Sequence, residues 1–546
     1  MPRMSRTASR LFAAVLLFGS LLARAQEPVD LQMVSRIRDE GFHHSQVMET
    51  VRHLTDGIGD RVTGSPQMKQ ANEWTRDRLA AWGLQNARLE PYVFGRGWSF
   101  SRGLVQVVKP YEKTLLAIPK GWTPGTEGPI RGPLMSVQIE TEKDFDTYRG
   151  KLAGKILLLG TARDLIEEAK ASPLPPRRYT PEALAELVPY SGASADDPVA
   201  RAKRFLETLR VRLAIQQFLA DEKALATIDG SSYEWGILRA SRAGSQRVED
   251  PVSLPSVTVG AEEFNRLSRL LEAGREIEVE VDVRAAFHAE DLNAYNTIAE
   301  IPGTDRKGEV VMAGAHLDSY QGGTGATDNA AGSAIMMEAV RILQALGVKP
   351  RRTIRIALWS GEEQGLVGSR AWVEAHLGER RAGSGDPAQA DLPSFLRTGP
   401  FQPKPEHAGL VAYFNTDNGG GRIRGIYAQE NAAVAPIFEA WLRPLHDLGA
   451  TTVTQNDTGA TDHLSFDAAG IPAFQFIQDE MDYQGRTWHS NVDTFDHLEK
   501  EDLQQAAVVV ATFLYHAAMR PDPMPRKHLR QEPGAVISGV TQGSPE

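Results

Sequence analysis

The residues with the clearest chemical potential lie between His316 and Glu363. His316 follows an apolar run at 310–315, and the pair Glu362-Glu363 follows another at 353–359, while residues 330–346 carry apolar side chains at helical spacing. Strand, helix and strand with polar residues just past the strand ends predict an open α/β sheet. Such sheets bind ligands in the crevice at the carboxyl ends of their strands. With Asp328 between them, these residues make a metal site the leading hypothesis.

Two divalent metals held close together need a bridging carboxylate, with a histidine and a further carboxylate at each end. The candidate ligands, all after or near predicted strand ends, are His316, Asp328, Glu363, Asp417 and His489. Glu362, beside Glu363, is expected to be the general base that takes a proton from water on the metal. Asp318, two residues after His316, is expected to accept a hydrogen bond from that imidazole and so orient it.

Composition and charge narrow the classes of protein. The chain has 546 residues, 41% hydrophobic and 24% charged, which is ordinary for a globular protein with room for two or more domains. A net charge of −10 and the lack of a basic stripe argue against nucleic acid as a partner. There is no cysteine, so disulfides, thiol catalysis and zinc-thiolate sites are excluded, and a metal must use histidine and carboxylate ligands.

The first 25 residues have the pattern of a secretory signal peptide. Arginines at 3, 6 and 10 precede an apolar run at 11–22, and alanines at 23 and 25 predict a mature start at Gln26. This apolar run is shorter than a typical transmembrane helix, and no other stretch of the sequence has the length and apolar character of one. We therefore expect an exported protein, periplasmic or secreted, with no stable membrane anchor.

The predicted fold class is α/β, an open mixed β-sheet flanked by helices with a smaller inserted domain. Near residue 105 the sequence becomes rich in Pro and Gly, and the α/β pattern resumes only after Asn293. We expect a catalytic domain at 26–105 and 290–520, an insert at 106–289 and a Pro-rich tail at 521–546. Helices are predicted at 31–55, 66–82, 197–224, 330–346, 432–448 and 500–519, and strands at 87–94, 154–160, 254–260, 277–283, 409–414 and 471–477.

At the candidate ligands the sequence resembles a known family, the secreted dizinc exopeptidases that include bacterial leucine aminopeptidases and plasma glutamate carboxypeptidase. The matching motifs are RVTGS at 61–65, HLDS at 316–319, ATDNAAG at 326–332, SGEEQGLVGS at 360–369 and TDH at 461–463. The resemblance covers most of residues 30–105 and 290–520. The insert resembles a protease-associated domain, most clearly at YRGKLAGK, residues 148–155.

The resemblance implies roles for individual residues. His316 and Asp417 would hold one zinc, Glu363 and His489 the other, and Asp328 would bridge them. It also implies a cis peptide bond after Asp328. Some aminopeptidases of the family carry an oxyanion-stabilising Tyr before the Asp-His pair; the corresponding residue here is Thr458, which shifts that role to zinc or another residue.

Structural explanations compete with these roles. A lone strand-end Asp or His is often only structural, but five candidate ligands in order, each within a matching motif, favour the metal site. For Asp462 and His463, a role in shaping the pocket and a purely structural role in packing are about equally favoured. Cobalt or manganese could replace zinc at such ligands.

The leading functional hypothesis is a zinc aminopeptidase that acts on peptides. A carboxypeptidase or dipeptidase of the same family is the runner-up, because Arg422, Arg424 and Arg486 could recognise a substrate carboxylate. Two further hypotheses are a glutaminyl cyclase with one zinc and a non-catalytic binding protein that resembles the family, as transferrin receptors do. The full set of candidate ligands disfavours both. The sequence leaves the oligomeric state open.

Overall fold

The structure is a computed structural model that describes residues 27–171, 174–191, 198–383, 394–397 and 399–527. The predicted signal peptide and residues 528–546 of the predicted tail lie outside these ranges. Within them, no helix combines the length and the apolar character needed to cross a membrane.

The strands of the described residues, in chain order, are β1 (Gln85–Val93), β2 (Gly97–Lys109), β3 (Lys113–Leu115), β4 (Ala117–Pro119), β5 (Ile130–Val137), β6 (Ile156–Leu159), β7 (Ala226–Gly230), β8 (Ser256–Val259), β9 (Glu278–His288), β10 (Asn293–Ile301), β11 (Arg306–His316), β12 (Arg352–Trp359), β13 (Gly378–Arg380), β14 (Phe401–Pro403), β15 (Leu410–Asn415), β16 (Ile423–Tyr427), β17 (Thr452–Thr454) and β18 (Ala473–Gln478). The α-helices are α1 (Leu31–His43), α2 (Val47–Arg52), α3 (Pro66–Ala81), α4 (Phe145–Tyr148), α5 (Leu165–Ala171), α6 (Pro181–Leu187), α7 (Pro198–Asp221), α8 (Ala261–Glu272), α9 (Ala331–Ala345), α10 (Val367–His376), α11 (Ala435–Leu442), α12 (His463–Asp467) and α13 (Lys500–Met519).

One eight-stranded sheet carries the predicted site. Its order is β1-β10-β12-β11-β15-β18-β16-β17. The central strands β12, β11, β15 and β18 run parallel to one another, whereas the β1-β10, β10-β12 and β18-β16 pairs are antiparallel. The sheet is therefore mixed and flanked by helices, and the predicted fold class is confirmed.

Helices α9 and α13 close one face of this sheet. Both are buried around most of their circumference and belong to the largest apolar core, together with the inner faces of α1 and α2. A helix that is apolar on every side must be enclosed on every side, which explains why these two lie between the sheet and the outer helices.

A second eight-stranded sheet comprises β3-β2-β9-β5-β6-β7-β8-β4 and has its own apolar core. It runs from Gly97 to His288, so the chain enters this unit before the break that we expected at 105/106. The domain limits and the likeness of the insert to a protease-associated domain stay predictions.

Two predicted helices are divided in the structure. The helix expected at 31–55 breaks at His44–Gln46, where the N–H of Gln46 donates to the side chain of Glu338 on α9. The helix expected at 432–448 is α11 between two short 3₁₀ turns, and Pro444 lacks the N–H that a continuous α-helix needs. In contrast, α13 has the predicted bounds of 500–519.

Candidate metal centre

Three of the predicted ligands lie at one edge of the first sheet. His316 is the last residue of β11 and pairs with Trp359 at the end of β12, so Glu362 and Glu363 follow directly beside it. On the other side of β11, Asp417 comes two residues after the end of β15. Because these strands are parallel, their carboxyl ends converge, as the sequence predicted.

Two loops supply the remaining candidates. Asp328 lies in a turn at Ala326–Ala330, and its peptide bond to Asn329 is cis, as the resemblance implied. His489 follows the turn Tyr483–Thr487 and has a positive φ of 51°.

Asp328 lies between the two imidazoles. Its Oδ1 is 3.1 Å from His316 Nε2, and its Oδ2 is 3.2 Å from His489 Nε2. His316 Nε2 is also 3.3 Å from Asp417 Oδ1, and His489 Nε2 is 3.0 Å from Glu363 Oε2. The result is two adjoining groups of one imidazole and two carboxylates that share Asp328, with the ligand atoms of each group within 4.8 Å of one another.

The residues present fit a bound cation. Buried oxygens of Asp328, Glu363 and Asp417 have no hydrogen-bond partner among the described residues, although imidazole nitrogens lie close to them. An unpaired buried carboxylate oxygen is costly, and divalent cations bound at the two groups would give these carboxylates partners. Nitrogen and oxygen donors without sulfur suit zinc and are also accepted by cobalt and manganese.

The pKa values of these groups reflect the excess of buried carboxylates over imidazoles at the centre. Burial lowers the pKa of His489, but Glu363 and Asp328 outweigh burial and raise it to about 9. Burial, followed by the charge of Asp328, raises the pKa of Glu363 to about 7. Burial also raises the pKa of Glu362 well above its ordinary range. In the protein without metal, protons therefore balance charge that a cation would otherwise balance.

Asp318 contacts His316 through its main chain. The Nδ1 of His316 is 2.9 Å from the carbonyl oxygen of Asp318 and 3.6 Å from its carboxylate. The carboxylate instead accepts hydrogen bonds from the N–H groups of Glu362 and Glu363, both at 3.3 Å, and from the hydroxyl of Thr63 at 2.9 Å. Asp318 therefore positions both His316 and the glutamate pair.

Two residues that hold the loops received no role from the sequence. Asp493 accepts hydrogen bonds from the main-chain N–H groups of Thr327, at 2.7 Å, and Asp328, at 3.1 Å. Arg61 is fully buried and donates to main-chain carbonyls on both sides of the loop between His316 and Asp328. Arg61 lies in the RVTGS motif, and Asp493 lies four residues after His489. These positions were the only sequence signal that the two residues contribute to the centre.

Buried phenols also lie near the centre. The ring of Tyr320 packs on the imidazole of His489 with centroids 4.2 Å apart. Burial, followed by the charges of Asp328 and Asp417, raises the pKa of Tyr483 well above its ordinary range. Both hydroxyls therefore remain protonated at neutral pH.

The arginines considered for carboxylate recognition are engaged elsewhere. Arg422 pairs with Asp502 at 2.9 Å, and Arg424 with Asp479 at 3.2 Å. Arg486 is exposed and lies 3.5 Å from Asp482.

The TDH motif is buried behind the centre. Burial raises the pKa of Asp462 to about 7, and His463 Nε2 lies 3.1 Å from the carbonyl oxygen of Thr458. Thr458 itself donates its N–H to Gln429 at 2.6 Å.

Comparison with known proteins finds similarity to peptidases. Residues 296–514 match the model of peptidase family M28. The chain is 26% identical to Carboxypeptidase Q of Bos taurus over 491 residues, 89% of this chain and 88% of that protein. It is 28% identical to Aminopeptidase YwaD of Bacillus subtilis over 214 residues, 39% of this chain and 42% of that protein.

Solved structures share the fold. A peptidase M28 precursor from Shewanella amazonensis has a TM-score of 0.63 at 22% identity and covers 91% of this chain and 99% of its own. BSAP, a zinc aminopeptidase from Bacillus subtilis, has a TM-score of 0.56 at 18% identity and covers 90% and 97%. These likenesses support the fold class described above.

Proposed function

We propose that this chain, whose residues 296–514 match the model of peptidase family M28, is an exported exopeptidase that hydrolyses peptides with two zinc ions. The observation that carries the proposal is the position of Asp328, whose two carboxylate oxygens each face a different imidazole. A carboxylate with one oxygen toward each of two nitrogen ligands is suited to bridging two cations.

The ligands divide into two sets that share Asp328. His316 and Asp417 would hold one zinc, and Glu363 and His489 the other. The carbonyl of Asp318 accepts the Nδ1 proton of His316, which leaves Nε2 free to bind metal. The name of BSAP as a zinc aminopeptidase supports zinc as the metal.

When bound, the zinc pair would supply Lewis acidity, which lowers the pKa of water and polarises the scissile carbonyl. Glu362 would accept the proton of the attacking water and pass it to the leaving amine. Burial raises the pKa of Glu362, which strengthens this carboxylate as a proton acceptor. Asp318 fixes the glutamate through its hydrogen bond to the Glu362 N–H.

Among exopeptidases we favour an aminopeptidase, with a carboxypeptidase or dipeptidase as the second candidate. The relatives include both kinds by name, Aminopeptidase YwaD and Carboxypeptidase Q. Arg422 and Arg424 are paired with buried aspartates. Two of the three arginines that could have recognised a substrate carboxylate are therefore already bound, which disfavours a carboxypeptidase. The complete ligand sets argue against a single-zinc cyclase and against a binding protein.

The remaining parts of the proposal concern location and architecture. The Arg-rich and then apolar pattern of the first 25 residues supports export to the periplasm or medium. The separate sheet and core of residues 97–288 support an inserted domain of the protease-associated kind.

The test uses residues 26–546 loaded with zinc, with aminoacyl anilides and N-blocked peptides as substrates. We expect hydrolysis of the free-amine substrates, and we expect Glu362→Gln to lower kcat by a factor on the order of 10²–10⁴ while the zinc content is unchanged. Glu90→Gln, a change at a partly buried glutamate that pairs with Arg88 and His376, is the matched control and should keep full activity. A Glu362→Gln protein as active as the wild type would refute the assigned base.

A further inference from the structure

The two imidazoles of the candidate metal centre are held in different ways. His316 ends the central strand β11, and its Nδ1 lies 2.9 Å from the carbonyl oxygen of Asp318, so the first sheet positions it. His489 lies instead in residues 479–491, the segment after β18 that we call the ligand loop. Its φ of 51° is left-handed, which costs a residue other than glycine on the order of 1–3 kcal/mol and persists only where surrounding contacts fix it.

The second structural unit, residues 97–288, supplies such contacts at the end of the ligand loop, and we call this unit the insert. The N–H of Ala240 donates to the carbonyl of His489 at 2.6 Å, and the N–H of Asn491 donates to the carbonyl of Leu238 at 3.0 Å. The side chain of Asn491 also accepts from the N–H of Leu238 at 2.6 Å. The main chain at the histidine ligand is therefore bound by the insert.

A tyrosine of the insert adds a further contact to the ligand loop. The hydroxyl of Tyr233 donates to the carbonyl of Trp488 at 3.1 Å and lies 3.4 Å from the carbonyl of Gln484. Burial raises the pKa of Tyr233 to about 12, so this hydroxyl keeps its proton and remains a donor at neutral pH. The guanidinium of Arg239 lies over the ring of Trp488, 4.6 Å from its centroid. Both residues of the insert thus contact the residue that precedes the histidine ligand.

The imidazole of His489 is connected to the insert through Tyr320. The two rings pack with their centroids 4.2 Å apart. Tyr320 in turn packs against an apolar cluster of the insert formed by Ile118, Leu238 and Ala240, all of which are buried. The insert therefore limits movement of the ring as well as of the main chain.

The insert also contacts the start of the ligand loop. The N–H of Met481 donates to the carbonyl of Arg177 at 2.6 Å. The N–H of Tyr179 donates to the carboxylate of Asp479 at 2.9 Å, and Arg178 pairs with the same carboxylate at 3.1 Å. The ligand loop is thus bound by the insert at both of its ends.

We propose that the insert completes the second metal site by holding His489 in its ligand conformation, with Tyr233 and Asn491 as positioning residues. A loosened insert would release His489, whereas His316 would keep its place at the end of β11. Zinc binding at the His489 site therefore depends on the insert, and zinc binding at the His316 site does not. This inference rests on the proposed function, because the second site has a role only in a two-zinc centre.

The experiment measures zinc affinity at each site separately. His316→Ala leaves the His489 site and His489→Ala leaves the His316 site, and each background is combined with Tyr233→Phe, with Asn491→Ala and with both. In a chelator competition we expect the Kd of zinc at the His489 site to rise on the order of 10-fold with Tyr233→Phe and on the order of 100-fold with both substitutions. The Kd at the His316 site should not change, whereas a general loss of structure would weaken both sites.

The matched control is Tyr111→Phe, which removes an insert hydroxyl that accepts a hydrogen bond from Arg266 in the same unit. This variant should bind zinc at both sites as its parent does. No loss of affinity at the His489 site, or equal losses at the two sites, would overturn the proposal.

Hydrogen exchange in the zinc-free protein tests the contacts without metal. We expect the amides of residues 240 and 491 to exchange on the order of 10-fold faster in the variant that carries both Tyr233→Phe and Asn491→Ala, with the amides of β11 unchanged. Unchanged exchange at residues 240 and 491 would overturn the proposal. A wild type that binds at most one zinc would count against the proposed function, and faster exchange would then still support the hold of the insert on His489.

Discussion

Substitution of Arg61 by methionine tests how the loops of the centre are held. The guanidinium is fully buried and donates to five main-chain carbonyls, which belong to Leu54, Gly59, Leu317, Thr324 and Gly325. Burial lowers its pKa to about 10, with Asp493 and Asp318 acting in the opposite direction, so it is charged at neutral pH. Methionine has similar length and no donor.

The expected loss can be bounded from these contacts. A hydrogen bond from a charged group contributes roughly 1.5–3 kcal/mol, but the contributions are not additive, and removal of the guanidinium also removes its desolvation cost. Loss of one partner from a buried charged network typically costs about 3–5 kcal/mol. We therefore expect the free energy of unfolding to fall by about 3–5 kcal/mol.

Urea unfolding with zinc removed by chelation measures this loss directly. Arg38→Met is the control, because Arg38 forms a surface pair with Asp447 and should lose no more than about 1 kcal/mol. A loss below about 1 kcal/mol for Arg61→Met would refute the view that this residue holds the loop between His316 and Asp328.

Further predictions concern Asp493 and His463. Asp493→Ala removes the acceptor for the N–H groups of Thr327 and Asp328, so we expect zinc affinity in a chelator competition to fall roughly 10- to 100-fold; unchanged affinity would contradict this role. Burial lowers the folded-state pKa of His463 to about 4, below its unfolded value of about 6.5. The unfolded chain therefore takes up this proton first, and stability that is complete above about pH 6.5 is lost as the pH falls toward 4. The loss attributable to His463 is on the order of 3 kcal/mol, and in the zinc-free protein His463→Gln should unfold with a pH dependence smaller by that amount; an unchanged pH dependence would be inconsistent with a buried neutral imidazole.

The sequence predicted the parts of the fold in which local pattern and burial agree. His316, the glutamate pair and Asp417 each follow an apolar run, and those runs became adjacent parallel strands. Helix α13 was predicted with its bounds because residues 506–518 are mostly apolar and contain no proline or glycine. The edge of the sheet at which the ligands converge follows from these elements alone.

The remaining features depend on contacts between distant parts of the chain. The break after α1 involves the side chain of Glu338, nearly three hundred residues away in sequence. The main-chain contact of Asp318 with His316 depends on how the loop turns after β11, which residue types do not reveal. The contact of the insert with the segment at 489–491 depends on residue 239 pairing with residue 490, about 250 residues away in sequence.

The most direct test of the account is the number of zinc ions per chain, measured by mass spectrometry on the wild type, His316→Ala and His489→Ala after equilibration with zinc and removal of the excess. We expect about two ions in the wild type and about one in each variant, because each imidazole belongs to a different ligand set around Asp328. At most one ion in the wild type, or no effect of either substitution, would contradict a two-zinc centre at these residues.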